Sequence, residues 1–115
     1  MGQCIAVVSG KGGTGKTSFT AGVGAALALS GLRVLCVDCD IGLRNLDIAL
    51  GLSDAALMDF SDVAQQRCTL ERAVVAHPQL AKLSLLTAPI RQRGQPVTGE
   101  QMASLLRAVR MQYDF

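Results

Sequence analysis

The octet Gly10-Lys11-Gly12-Gly13-Thr14-Gly15-Lys16-Thr17, set between an apolar run and an Ala/Leu-rich stretch, constrains this chain more than any other feature. It matches G-x-x-x-x-G-K-[ST], the pattern of a loop that cradles phosphates between a strand and a helix. The glycines allow positive φ angles and turn successive N–H groups inward, which makes a nest for an anion. A helix starting near Lys16 adds its own unpaired N–H groups and the positive end of its dipole. Lys16 supplies a point charge to the outer phosphates, and the Thr17 hydroxyl can ligate magnesium. A glycine cluster that merely turns the chain would not account for the Lys-Thr ending together with its flanks. The phosphate-binding set is therefore Gly10, Lys11, Gly12, Gly13, Thr14, Gly15, Lys16, Thr17 and Ser18.

The flanks read as an α/β chain. Cys4 to Ser9 is a short apolar run bounded by glycine, the mark of a strand buried on both faces. From Lys16 to Ser30 the spacing predicts a helix, with Phe19, Val23, Ala26, Leu27 and Ser30 on one face and Gly31 ending it. Arg33 to Asp38 is a second apolar run, so the first third predicts a right-handed βαβ unit. A polar loop, Gly42 to Asp47, precedes an apolar piece, Ile48 to Leu52, that has no clear period. Asp59 to Gln66 and Leu70 to Ala76 read as short helices capped by Ser61 and Thr69, and Leu83 to Thr87 as a third buried strand before Pro89. Ile90 to Val97 is a loop carrying Arg91 and Arg93, where a solvated face is favoured over a partner contact. Thr98 and Gln101 fit a capping box ahead of Met102, Leu105, Leu106 and Val109, in a helix that runs to about Met111. Tyr113-Asp114-Phe115 is where a further strand is expected to begin. The expected fold is a P-loop NTPase arrangement in three layers with a mostly parallel sheet, incomplete at the carboxyl end, with residues 1–115 as one unit.

Asp38 and Asp40 follow the second strand, at the carboxyl end where open α/β sheets bind ligands. Asp38 is a candidate for magnesium and its water shell, and Asp40 for positioning or deprotonating an attacking water. The alternative for Asp40 is a cap of the next turn. Lys11 has two readings as well: a cation projecting outward to a partner, or a solvated loop lysine.

Cys36 and Cys39 form a C-x-x-C, but residues three apart on a strand face opposite ways, so two thiolates there cannot grip one ion. Cys4 and Cys36 are instead expected as small buried apolar residues. His77 precedes Pro78 and reads as a surface residue. A net charge of +2 with scattered basic residues gives no nucleic-acid signal. Half of the 115 residues are apolar, enough for a core. The start carries no basic and apolar leader, and the apolar segment Ala21 to Leu29 is too short to span a bilayer, which points to a cytoplasmic chain.

Ser9 to Thr17, SGKGGTGKT, resembles the deviant Walker A box of the ParA/MinD family of ATPases, with Lys11 as the family's extra lysine. Val37 to Asp47, VDCDIGLRNLD, is similar to the segment found in the family branch that places the division septum, and the pair Asp59-Phe60 also fits. The resemblance implies ATP and Mg2+ as cofactors and a homodimer when ATP is bound. In that dimer Lys11 contacts the partner's nucleotide, Lys16 the β- and γ-phosphates, Thr17 the magnesium and Asp40 the hydrolytic water. It further implies ATP hydrolysis as a switch for attachment to the inner membrane surface, with a division inhibitor and regulator proteins as partners. Lys11, Lys16 and Asp40 are thus the catalytic candidates, and Thr17 and Asp38 the metal ligands.

Thr14 departs from the valine more usual in that branch. The sequence ends before the strand that carries the family's Walker B aspartate, so weak or no hydrolysis is expected of these 115 residues alone. A sheet lacking that strand is expected to expose backbone and apolar surface. Two other functions fit the octet: a partition ATPase that binds DNA through a basic surface, and a nucleotide-binding module without turnover.

Overall fold

The computed structural model describes residues 2–8, 15–40, 45–52, 58–91 and 94–115. Helix α1 (Lys16–Leu29) is followed by β1 (Val34–Val37), α2 (Asn45–Ala49), α3 (Phe60–Ala64) and α4 (Leu70–Ala73), then by β2 (Val75–Ala76), β3 (Leu83–Leu86) and α5 (Gly99–Gln112). The described sheet has the order β1-β3-β2. β1 and β3 run parallel with Val34 opposite Leu83 and Val37 opposite Leu86, and β2 adds an antiparallel edge.

Side chains alternate across the sheet as a period of two dictates. Val34 and Cys36 of β1 join Leu83 and Leu85 of β3 in a core under α1 and α2, with Ala28, Leu46, Leu50 and Leu52. Leu35 and Leu86 point the other way, into a core with Phe60, Leu70, Ala73, Leu105 and Val109 from α3, α4 and α5. Helices therefore cover both faces, which is the expected three-layer arrangement.

Local chemistry explains the element ends. Asp59 caps α3: its Oδ1 accepts from the N–H of Ser61 (2.9 Å) and of Asp62 (3.2 Å), and the Asp62 carboxylate accepts in return from the Asp59 N–H (3.0 Å). Asp59 takes the capping role expected of Ser61, whose hydroxyl bonds the same carboxylate. Thr69 precedes α4 without a side-chain cap bond. The helix expected through Ala76 stops at Ala73, because Val75 and Ala76 pair with Leu85 and Ser84 of β3 and a β-branched valine suits that edge. The Thr98–Gln101 capping box is present, with reciprocal bonds of 2.9 and 3.1 Å.

Three other expectations are corrected. On α1 the buried residues are Gly24 and Ala28, while Phe19 stays 59% exposed; α1 meets β1 so closely at Gly24 that a Cβ there would lie 2.7 Å from Cys36 Sγ. Asn45 to Ala49 is helical where a polar loop was expected to reach Asp47. His77 is half-buried, its Nδ1 accepting from the N–H groups of Gln79 and Leu80 at 3.1 and 3.2 Å.

The largest difference concerns the first strand. Residues 2–8 form no ladder with β1; Cys4, Ile5 and Val8 are exposed, and Ser9 lies outside the described residues. The segment is tied at its beginning, by Gly2 N–H to Arg110 O (2.8 Å) and Gln3 N–H to Asp114 O (2.9 Å). Beside it, Phe115 donates to Arg33 O (3.2 Å) and accepts from Leu35 N–H (2.9 Å), a first parallel rung on the edge of β1 opposite β3. Beyond that rung a largely apolar cleft of about 360 Å³ separates residues 3–8 from β1, α1 and α5. An apolar run cannot bury both faces when one of its strand neighbours consists of a single rung, and Cys4, Ile5, Ala6 and Val8 lie exposed accordingly.

Candidate phosphate-binding site

The polar end of this cleft is built by the start of α1 and the end of β1. Gly15 is the N-cap of α1 with φ 84°, a left-handed conformation that glycine adopts without strain. No side chain caps the helix among the described residues. The first four N–H groups of any helix lack intrahelical partners, so those at the start of α1 are available at the positive end of the helix dipole. Lys16 and Thr17 are the first two residues of α1, and both line the cleft with Asp38 and Asp40. Ser18, in the same turn, is exposed. Gly10, Lys11, Gly12, Gly13 and Thr14 lie outside the described residues.

The two carboxylates occupy different states. Asp38 is 8% exposed, and both its oxygens accept backbone N–H bonds, Oδ1 from Asp40 (3.0 Å) and Oδ2 from Leu46 (3.4 Å). It is thereby fixed in place while keeping lone pairs for water or a cation. Asp40 forms an ion pair with Lys16, Nζ to Oδ2 at 2.9 Å, with the two side chains 22% and 42% exposed. The sequence placed both groups in one site but gave no sign that they meet directly, because contact between residues 24 apart depends on how α1 lies on β1. The Leu46 bond is equally hidden, since residues 42–47 carry the composition of a polar loop.

Cys36 and Cys39 have separate surroundings. Cys36 is buried against α1, and desolvation pushes its thiol up to about 11. The Cys39 thiol is also raised, first by desolvation and then by the Asp38 and Asp40 carboxylates, with Lys16 acting in the opposite sense. Among the described residues no cluster of three or more His, Cys, Asp or Glu side chains could hold a metal by itself. Magnesium usually keeps several waters and takes one or two carboxylates beside substrate phosphates, so it does not need a cluster of that kind. Thr17 and Asp38 both line the cleft.

The family profile described as "CobQ/CobB/MinD/ParA nucleotide binding domain" matches residues 5–113. The chain is 42% identical over 115 residues to the septum site-determining protein MinD of Synechocystis, covering all of this chain and 43% of that protein. It is 39% identical over 117 residues to MinD of Bacillus subtilis, again covering 43% of the relative. Among solved structures it is similar to the MinC:MinD cell division protein complex of Aquifex aeolicus, with a TM-score of 0.80 and 38% identity over 93% of this chain and 42% of that one. The cell division ATPase MinD of Pyrococcus furiosus superimposes over the whole chain with a TM-score of 0.77 and 31% identity, covering 48% of that structure. The chain thus spans less than half the length of the relatives it matches. A profile match over residues 5–113, on an α/β frame that superimposes on these structures, shows that this chain belongs to the CobQ/CobB/MinD/ParA family of nucleotide-binding domains.

Proposed function

We propose that residues 1–115 form the phosphate-binding portion of an ATP-dependent switch that acts in placement of the division septum. The observation that carries the reading is the start of α1: an uncapped helix terminus behind a left-handed Gly15, with Lys16 as its first residue facing Asp38 and Asp40 at the end of β1. Such a terminus favours an anion by dipole and by N–H donors, and the ammonium adds a full charge.

In this reading the N–H groups of the 10–18 segment hold the phosphate oxygens and the Lys16 ammonium contacts the β- and γ-phosphates. Thr17 and Asp38 hold Mg2+, directly or through water. When bound, the cation neutralises charge on the phosphates. Asp40 orients the attacking water and accepts its proton. Lys11 reaches the nucleotide of a second subunit, so that ATP favours a homodimer. In the longer protein, hydrolysis would end that state and release the inner membrane surface and a MinC-type division inhibitor. The septum assignment is supported by similarity to proteins named septum site-determining protein MinD and to a MinC:MinD complex.

Calorimetric titration of the folded chain with ATP and Mg2+ tests the site, and phosphate release measured on the same sample tests turnover. Saturable binding with little or no phosphate release is expected. A well-folded sample with no affinity for ATP, with or without Mg2+, would overturn the assignment.

A further inference from the structure

The Lys16–Asp40 ion pair ties up two groups that the reaction needs free. A phosphate cannot take the full charge of the Lys16 ammonium while Asp40 Oδ2 sits 2.9 Å from Nζ, because an anion and a carboxylate sharing one ammonium repel each other. Asp40 is in turn held from behind: its N–H donates to Asp38 Oδ1 at 3.0 Å, and Asp38 Oδ2 accepts from Leu46 N–H at the start of α2. The Asp40 backbone is therefore held beside Lys16, and the pair joins residues 24 apart in the lining of the cleft.

We infer that Asp40 is an internal competitor for the phosphate site, a latch that occupies Lys16 until a polyphosphate displaces it. The inference rests on the reading of Gly10 to Ser18 as the phosphate loop. Displacement does two things in one exchange. The ammonium passes from carboxylate to phosphate, and Asp40 is released from its counter-ion just when the substrate is seated. An empty site thus holds Asp40 away from water activation, and only a ligand anionic enough to win the lysine frees it. The ligand class this favours is a nucleoside di- or triphosphate over a monophosphate, since more charge competes better for one ammonium.

The pair is partly exposed, so the competition is modest. Removing the Asp40 charge is expected to tighten binding by about two- to fivefold, the range that a solvated ion pair permits. Metal-free conditions isolate this effect from any part Asp40 plays near magnesium. The experiment is titration of the wild-type chain, Asp40→Asn and Asp40→Ser with ATP and with AMP in excess chelator, each variant first checked for wild-type melting. Tighter ATP binding by both variants, with a smaller change for AMP, is expected. If the wild type binds ATP but either correctly melting variant binds it equally or more weakly, the latch is refuted while the phosphate site stands. If the wild type does not bind ATP at all, the site assignment fails first. A direct measurement covers the case of a misfolded variant. The side-chain carboxyl carbon resonance of Asp40 in the wild type should shift on adding Mg-free ATP as the carboxylate loses the ammonium, and an unmoved resonance at saturating ATP overturns the proposal.

Discussion

Replacing Lys16 with alanine should separate nucleotide binding from folding. In the folded chain the ammonium is held by Asp40 alone among the described residues, and the side chains are 22% and 42% exposed. An ion pair that open to water contributes about 0.2–1 kcal/mol. The carboxylate left behind is not stranded, because Asp40 stays in contact with solvent and its N–H keeps the bond to Asp38. Alanine also suits a helix at least as well as lysine does. The net loss of stability should therefore stay below about 1 kcal/mol, a fall of no more than roughly 4–8 °C in melting temperature for a chain near 100 residues. Binding should respond differently. A hydrogen bond to a charged group contributes about 1.5–3 kcal/mol, and losing one to phosphate weakens affinity by roughly ten- to 150-fold. Scanning calorimetry and isothermal titration on one preparation give both numbers. A variant that melts far below the wild type, or that keeps its ATP affinity within about threefold by the same conversion, would refute the assignment of Lys16 as a ligand group that the fold does not depend on.

Other outcomes follow from the packing. Gly24→Val should lower stability by about 1–3 kcal/mol through overpacking, because the new Cβ would lie 2.7 Å from Cys36 Sγ; adding Cys36→Ala should recover part of the loss in a urea titration. Thr98→Ala should cost about 1 kcal/mol by removing the cap of α5, read as an earlier thermal transition with unchanged ATP affinity, and an unchanged transition would contradict the capping box. The buried Cys36 thiol, raised from 9.0 to about 11, favours the protonated form in the fold. Its contribution to stability is complete below pH 9 and fades as pH climbs through about 11, so Cys36→Ala should flatten the alkaline limb of a stability-against-pH curve.

The parts of this chain that could be read from sequence are those governed by neighbours in sequence. The α1 and α5 boundaries, the capping box at Thr98 and the strands at Val34 and Leu83 follow from local period and local polar chemistry. So does the placing of Asp38 and Asp40 at a strand end beside Lys16 and Thr17. What escaped depends on contacts distant in sequence. Phe19 fits the helical spacing of an apolar face, but Gly24 and Ala28 are small enough to let α1 approach β1, and they set which side turns inward. Val75 and Ala76 continue the composition of α4 yet leave it for an open edge of β3. Cys4 to Val8 carry the pattern of a central strand, and whether such a pattern is buried is decided by neighbours on both sides. The Lys16–Asp40 bond belongs to this second group.

The two edges of β1 should keep different time. Toward β3, Val34 and Asp38 donate to Lys82 O and Leu86 O at 2.8 and 3.0 Å, so their amide hydrogens leave only when the sheet itself opens. On the opposite edge Leu35 donates to Phe115, but the next amide on that side, Val37, has no partner among the described residues. In deuterated water the signal of Val37 should vanish early, while those of Val34 and Asp38, three residues and one residue away, persist. One strand then reports two clocks, and the interval between them measures how much of the sheet's cooperativity reaches the end of β1, where the carboxylates sit.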